Sequence, residues 1–163
     1  MRKYMKRILI SLSCCALILS VAGCTSPTRI SSDQVKEFRQ EIQTEYPAIK
    51  SMGLEFVPTT LTMLYTLKQP VSEDEKKDIF EQSRELLMSE TFDREIIQGK
   101  FSKKYSESGY PDFTILLTVE DPASTSRFEI HADDSENAAS VYTQWYYSKN
   151  GDTNSEPFFQ ESE

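Results

Sequence analysis

The sequence predicts an α+β domain: one antiparallel-rich sheet of about four strands with helices packed on one side, in the order α-β-α-β-β-β. Two patterns carry this. Apolar residues recur every three or four positions behind serine caps in two stretches, 33–46 and 73–89. They alternate with polar residues at a period of two in four others, 57–68, 113–120, 127–131 and 140–148. Helices then strands around one core make the α+β class, with the sheet covered on one face.

The first helix opens on a capping-box pattern, Ser31 with Gln34 three residues on. Val35, Phe38, Ile42, Tyr46 and Ile49 follow as one apolar stripe on a charged helix. Pro47 disfavours helical geometry at Tyr46, so the helix is expected to end near there. From Val57 to Lys68 the period becomes two. Val57, Leu61, Met63, Tyr65 and Leu67 share one face, and Thr60, Thr62, Thr66 and Lys68 the other, with Leu64 the exception. Pro58 marks the start of this strand as an edge or a bulge.

A second capping box, Ser72 with Glu75, is followed by three acids in the first turn (Glu73, Asp74, Glu75), which suit the positive end of a helix dipole. Ile79, Phe80, Leu86 and Leu87 continue the stripe to about residue 89. The phase then slips before Phe92, Ile96 and Ile97, which predicts a break and a second short helix over about 90–98, with Gly99 as its stop. Residues 100–112 read as a loop holding a small basic cluster, Lys100, Lys103 and Lys104. Its ordinary reading is complementation of a helix end, with an anionic ligand as the alternative.

Three strands finish the domain. Phe113, Ile115, Leu117 and Val119 alternate with Thr114, Leu116, Thr118 and Glu120; Phe128 and Ile130 alternate with Arg127, Glu129 and His131. In the last, Val141, Thr143, Trp145 and Tyr147 share one face, which sends Tyr142 and Tyr146 to the other. Asn150-Gly151 opens a polar tail, 151–163, that is ordered only if Phe158 and Phe159 dock. The layout resembles NTF2-like and cystatin-like sheets that wrap a helix, a likeness without a motif and therefore without an implied function.

The amino terminus has a different character. Arg2, Lys3, Lys6 and Arg7 precede an apolar run from Ile8 to Val21, and the run exits through Val21-Ala22-Gly23-Cys24. The run is short for the roughly 20 residues that span a bilayer, and basic, apolar and small residues in this order make a secretory signal. An uncleaved anchor is the alternative. The exit resembles the lipobox of bacterial lipoproteins. That resemblance implies cleavage after Gly23, a diacylglycerol and a fatty acid such as palmitate on Cys24, and attachment to the outer face of a membrane. In a two-membrane host it implies the outer membrane, because Thr25 is not the aspartate associated with inner-membrane retention. Two chains on one residue anchor stably where a single chain is marginal. The expected organisation is then signal peptide 1–23, lipidated Cys24 and tether 24–32, one domain 33–150, and the tail.

Residues 1–23 hold four of the 18 basic side chains and none of the 26 acids, so the mature part carries 14 against 26, a net −12 on 140 residues. That length suits one domain with a real core. That charge is expected to repel nucleic acid and anionic lipid, which leaves the lipid on Cys24 to do the anchoring unaided. Cys14 and Cys15 leave with the signal and Cys24 is blocked, so no disulfide is expected.

No catalytic constellation stands out. His131 is the single histidine and falls on the polar face of its strand. A small envelope hydrolase or transferase using dispersed Ser and Asp with His131 is the rival reading, without a nucleophile-elbow motif behind it. One His and one blocked Cys give no zinc spacing, and Asp133 to Asn137 clusters oxygens without the spacing of a calcium loop, so neither metal nor cofactor is expected. The aromatic run Tyr142, Trp145, Tyr146, Tyr147 is the one feature that suits recognition, because flat amphipathic rings bind sugars, peptides and protein interfaces. Its ordinary reading is strand propensity and packing. Tyr142 and Tyr146 are the candidate binding residues. The expected function is a non-enzymatic, lipid-anchored binding or accessory module of the cell envelope, with a protein, peptide or glycan partner; a subunit of an envelope assembly is a further alternative.

Overall fold

The computed structural model describes residues 26–106, 109–119, 126–130, 144–149 and 156–160. Ser32, one residue after the expected Ser31, caps helix α1 (Asp33–Glu45), its hydroxyl accepting from Val35 N at 3.2 Å. The later start frees the Ser31 carbonyl for Lys100 and lets the Gln34 amide reach Ser89 Oγ at 3.1 Å. The helix ends where Pro47 requires, with Tyr46 at φ −116° and ψ 86°.

The segment expected as one strand from Val57 is the second half of a hairpin. β2 (Ile49–Val57) and β3 (Thr60–Leu67) pair antiparallel around Pro58 and Thr59, with Val57 opposite Thr60. Ile49 thus belongs to a strand and not to the helical stripe, and Val57 stands with Thr60 away from the Leu61 face. Met52, Leu54 and Phe56 already alternate, so the strand was encoded at a period of two, and Pro58 takes the turn because it has no ladder N–H to lose. Leu61, Met63, Tyr65 and Leu67 are buried as expected.

Helix α2 (Glu73–Leu87) closes its capping box in both directions: Glu75 N donates to Ser72 Oγ at 3.2 Å and Ser72 N donates to Glu75 Oε2 at 2.9 Å. After the expected break, Ser89 caps helix α3, residues 90–104, in which an α-turn (Glu90–Phe92) passes into a π-helix (Asp93–Phe101) and a final α-turn (Ser102–Lys104). Gly99 therefore does not stop the helix, and Lys100, Lys103 and Lys104 lie on it rather than in a loop. The cause is burial. At about 100° per residue Phe101 would stand on the opposite side of the helix from Phe92. At about 4.4 residues per turn, the geometry of i→i+5 bonding, Phe92, Ile96, Ile97 and Phe101 fall within one arc of about 80°. All four are buried. Among the described residues, 105–106 and 109–111 lie outside helix and strand, and Gly109 takes φ 66°.

β4 (Asp112–Val119) lies parallel to β3, the pairing that a connection of two helices permits; every other described pairing is antiparallel. β5 (Ser126–Ile130), β6 (Gln144–Lys149) and β7 (Glu156–Gln160) follow as neighbours, and β1 (Thr28–Arg29) pairs with β2 at the other edge. Among the described residues the sheet thus has seven strands in chain order and not about four. The three additions are β2, β1 from the tether and β7 from the tail. Phe158 docks the tail, its ring 5.0 Å from Phe80 and 5.0 Å from Phe128. A bulge between Trp145 and Tyr146 leaves Phe158 between the paired Phe159 and Pro157, which turns it toward those rings.

The helices serve one face. Phe80 stacks on Phe128 at 4.8 Å, Phe92 meets Phe113 at 6.4 Å, and Phe56 meets Phe101 at 5.6 Å. These rings, with Met63, Tyr65 and Ile115, belong to a single core. Among the described residues no helix is long and apolar enough to cross a membrane.

Candidate functional site

Strand register builds the face opposite the helices. One row across five strands is Glu55, Thr62, Thr114, Glu129 and Tyr146; the next is Gly53, Leu64, Leu116, Arg127 and Ser148. Alternation alone put the threonines here, because each faces away from a buried apolar neighbour. Thr62, Leu64, Thr66, Leu116 and Thr118 are half-buried, and Thr114 and Ser148 are buried. The ring contacts of α2 and α3 go to the other side of the sheet.

Tyr146 lies on this face, half-buried, opposite Glu129 on one side and Pro157 on the other. Its neighbours point the other way, as their spacing requires. Trp145 is 2% exposed and meets Phe80 edge-on at 5.1 Å. The Tyr147 ring stacks on Phe128 at 4.8 Å, and its hydroxyl lies 3.4 Å from both Glu73 Oε2 and Ser126 Oγ. Tyr142, Cys24, His131 and the Asp133 to Asn137 turn lie outside the described residues, so Tyr146 is the one of the two candidate binding tyrosines that the structure positions. Among the described residues no group of three or more His, Cys, Asp or Glu could hold a metal ion.

A groove of about 470 Å³ borders this face at the β1–β2 edge. Arg29, Ser31, Arg39, Gly53, Glu55 and Leu64 line it. The Nε of Arg39 is buried without a hydrogen-bond partner among the described residues, an arrangement that calls for an acceptor. Arg29 stands opposite Glu55 in the strand register. On the helix side of β1, Lys104 Nζ donates to Thr28 Oγ1 and Lys100 Nζ to the Ser31 carbonyl, each at 2.5 Å. Lys104 also lies 5.6 Å from the centres of both the Phe56 and Tyr105 rings. Lys103 is exposed.

Sequence reasoning had singled out the three lysines but neither arginine. Arg29 sat in a stretch read as tether, and Arg39 was one charge among many on α1. Residues 29, 39 and 100–104 share no local spacing, and only the β1–β2 pairing and the length of α3 bring them together. No family model matches this chain, no curated protein is similar to it, and no solved structure matches it.

Proposed function

We propose that the protein is a non-enzymatic binding or accessory module of the cell envelope, held to the outer face of a membrane by lipid on Cys24, and that the sheet face opposite its helices takes the partner. The observation that carries this reading is the composition of that face. Hydroxyls of Thr62, Thr66 and Thr118 lie among Leu64, Leu116 and the ring of Tyr146, across a continuous strand register. Short polar groups beside flat apolar surface suit an extended peptide, a glycan or another protein surface. The lipobox-like Val21-Ala22-Gly23-Cys24 supports the anchor, and Thr25 favours the outer membrane in a two-membrane host.

The test is a pull-down from native envelope extracts with wild type and with Tyr142→Ala/Tyr146→Ala, beside thermal melts of both. The expected result is an unchanged melt with loss of partners, because an aromatic anchor is worth about 2 kcal/mol or more at an interface. A variant that melts normally and retains every partner sinks the proposed surface. Enzymatic activity that depends on His131 would replace this reading by the hydrolase alternative.

A further inference from the structure

We infer that the edge of the domain from which the tether leaves is an electrostatic footing on anionic phospholipid, with Arg29, Arg39, Lys100, Lys103 and Lys104 facing the headgroups. The inference rests on the lipid anchor proposed above. It departs from what net charge alone implies, since a mature chain of −12 is repelled by such a surface as a whole.

Charge segregation is the argument. Four of the 14 cations of the mature chain, Arg29, Arg39, Lys100 and Lys104, gather around Thr28 to Ser31, and exposed Lys103 precedes Lys104 on α3. Lys100 and Lys104 are fastened there through neutral oxygens, a carbonyl and a hydroxyl, which hold the ammonium groups in place without cancelling their charge. Arg29 and Arg39 flank the same segment on the groove side. Asp33, close enough to Lys100 to feel its charge, and Glu55, opposite Arg29, offset part of the cluster and leave a positive balance. A phosphate oxygen in the groove would also supply the acceptor that Arg39 Nε lacks.

Position supplies the partner. Three residues separate Cys24 from Thr28, so the four steps between them span at most about 14 Å of extended chain. Electrostatic attraction reaches about 30 Å at 0.01 M salt and only about 3 Å at 1 M. A lipid on Cys24 therefore delivers this edge, rather than the acidic remainder, to the membrane surface. Basic residues beside a lipid anchor supply a second, salt-sensitive attraction. At the other end of the sheet Glu73, Asp74 and Glu75 open α2 next to β6, and Lys76 and Lys149 are paired with Glu73 rather than left to face a membrane. Five strand spacings, about 24 Å, separate β1 from β6.

The test uses the full chain, processed and lipidated in a bacterial host and reconstituted into vesicles that carry a headgroup-linked quencher. A fluorophore is placed through Ser106→Cys, beside the cluster, or through Asp74→Cys, at the far end; both sites are exposed. In vesicles containing phosphatidylglycerol at low salt, the label at 106 should be quenched at least threefold more than in phosphatidylcholine alone, and 1 M salt should remove the difference. The label at 74 should respond to neither. Arg29→Gln/Lys100→Gln/Lys103→Gln/Lys104→Gln should abolish the lipid dependence at 106, with an unchanged melt. Lys103→Glu alone, at a side chain with no partner among the described residues, should reduce it should the fourfold variant not fold. Protein that floats with vesicles but shows the same quenching in both lipids, or is unaffected by these substitutions, overturns the footing and leaves the anchor standing. Protein that never floats overturns the anchor and the footing together.

Discussion

The hydroxyls of Tyr65 and Ser83 lie 2.8 Å apart and join β3 to α2 inside an apolar core. Both side chains are fully buried. Ser83 commits its hydrogen to the Ile79 carbonyl at 2.6 Å, which makes Tyr65 the donor to Ser83; the Met63 sulfur at 3.1 Å is a weaker second acceptor. Burial pushes the phenol up from its ordinary range, so it remains a neutral donor. Ser83→Ala takes away the oxygen acceptor and should cost about 1–3 kcal/mol, whereas Tyr65→Phe leaves Ser83 bonded to Ile79 and should cost less. The double variant should be well short of the sum. Additive losses in denaturant unfolding would show that the pair does not act as a unit.

At Gly99 an added Cβ would lie 3.1 Å from the backbone oxygen of Arg94, the carbonyl five residues back in the π-helix. Gly→Ala inside a helix ordinarily gains about 1 kcal/mol. Here the contact should cancel that gain, so Gly99→Ala is expected to leave stability unchanged or lower it by up to about 1 kcal/mol. A melting temperature clearly above wild type would mean that the backbone yields freely.

Glu73 receives Lys76 at 3.0 Å and Lys149 at 3.1 Å, which ties the start of α2 to β6. The bond from Lys76, and after it that from Lys149, holds the Glu73 carboxyl below its ordinary 4.5. The bond to Glu73 raises Lys149 above its ordinary 10.5. A depressed carboxyl stabilises the fold above its unfolded pKa and loses this as pH falls through the folded value; a raised ammonium does so below its unfolded pKa and loses this as pH rises. The stability difference between wild type and Glu73→Gln should therefore be flat between about pH 4.5 and 10.5 and shrink on both sides. High salt should reduce it throughout. A difference that grows below pH 4 would contradict this assignment.

Trp145 and Tyr146 are adjacent and opposite in role. Trp145→Ala should leave a cavity against Phe80 and cost roughly 3–5 kcal/mol. Tyr146→Ala, on the other face, should cost about 1 kcal/mol or less. Equal losses would place both rings in packed layers and weaken the proposed recognition face.

Cys24→Ser should abolish fatty-acid labelling and membrane retention, because no thioether to lipid can form. Metabolic labelling followed by fractionation checks this. A Ser variant that still labels and pellets like wild type would refute the lipobox reading.

What was legible in the sequence was local. The Ser72–Glu75 cap, the end of α1 before Pro47, and the opposed faces of Trp145 and Tyr146 follow from spacings of a few residues. Pro58 was legible too, as an edge or a bulge at the start of one strand, while the alternation of Met52, Leu54 and Phe56 marks a second strand before it. Other features had no local cause. The phase slip before Phe92 could be seen, yet only the need to bury Phe92, Ile96, Ile97 and Phe101 against one sheet selects i→i+5 bonding over a break. Two-residue β1 and bulged β7 carry too little pattern to be read as strands; they exist because β2 and β6 offer unpaired edges, and because Phe158 finds Phe80 and Phe128. Tyr146 was found because a strand exposes alternate residues. The cluster of Arg29, Arg39 and the α3 lysines was not, because its members are up to 75 residues apart in the chain. The chain alone determined which residues face inward along each element, since that depends on backbone period. Which distant charges meet depends on how elements pair, and only the tertiary structure decides that.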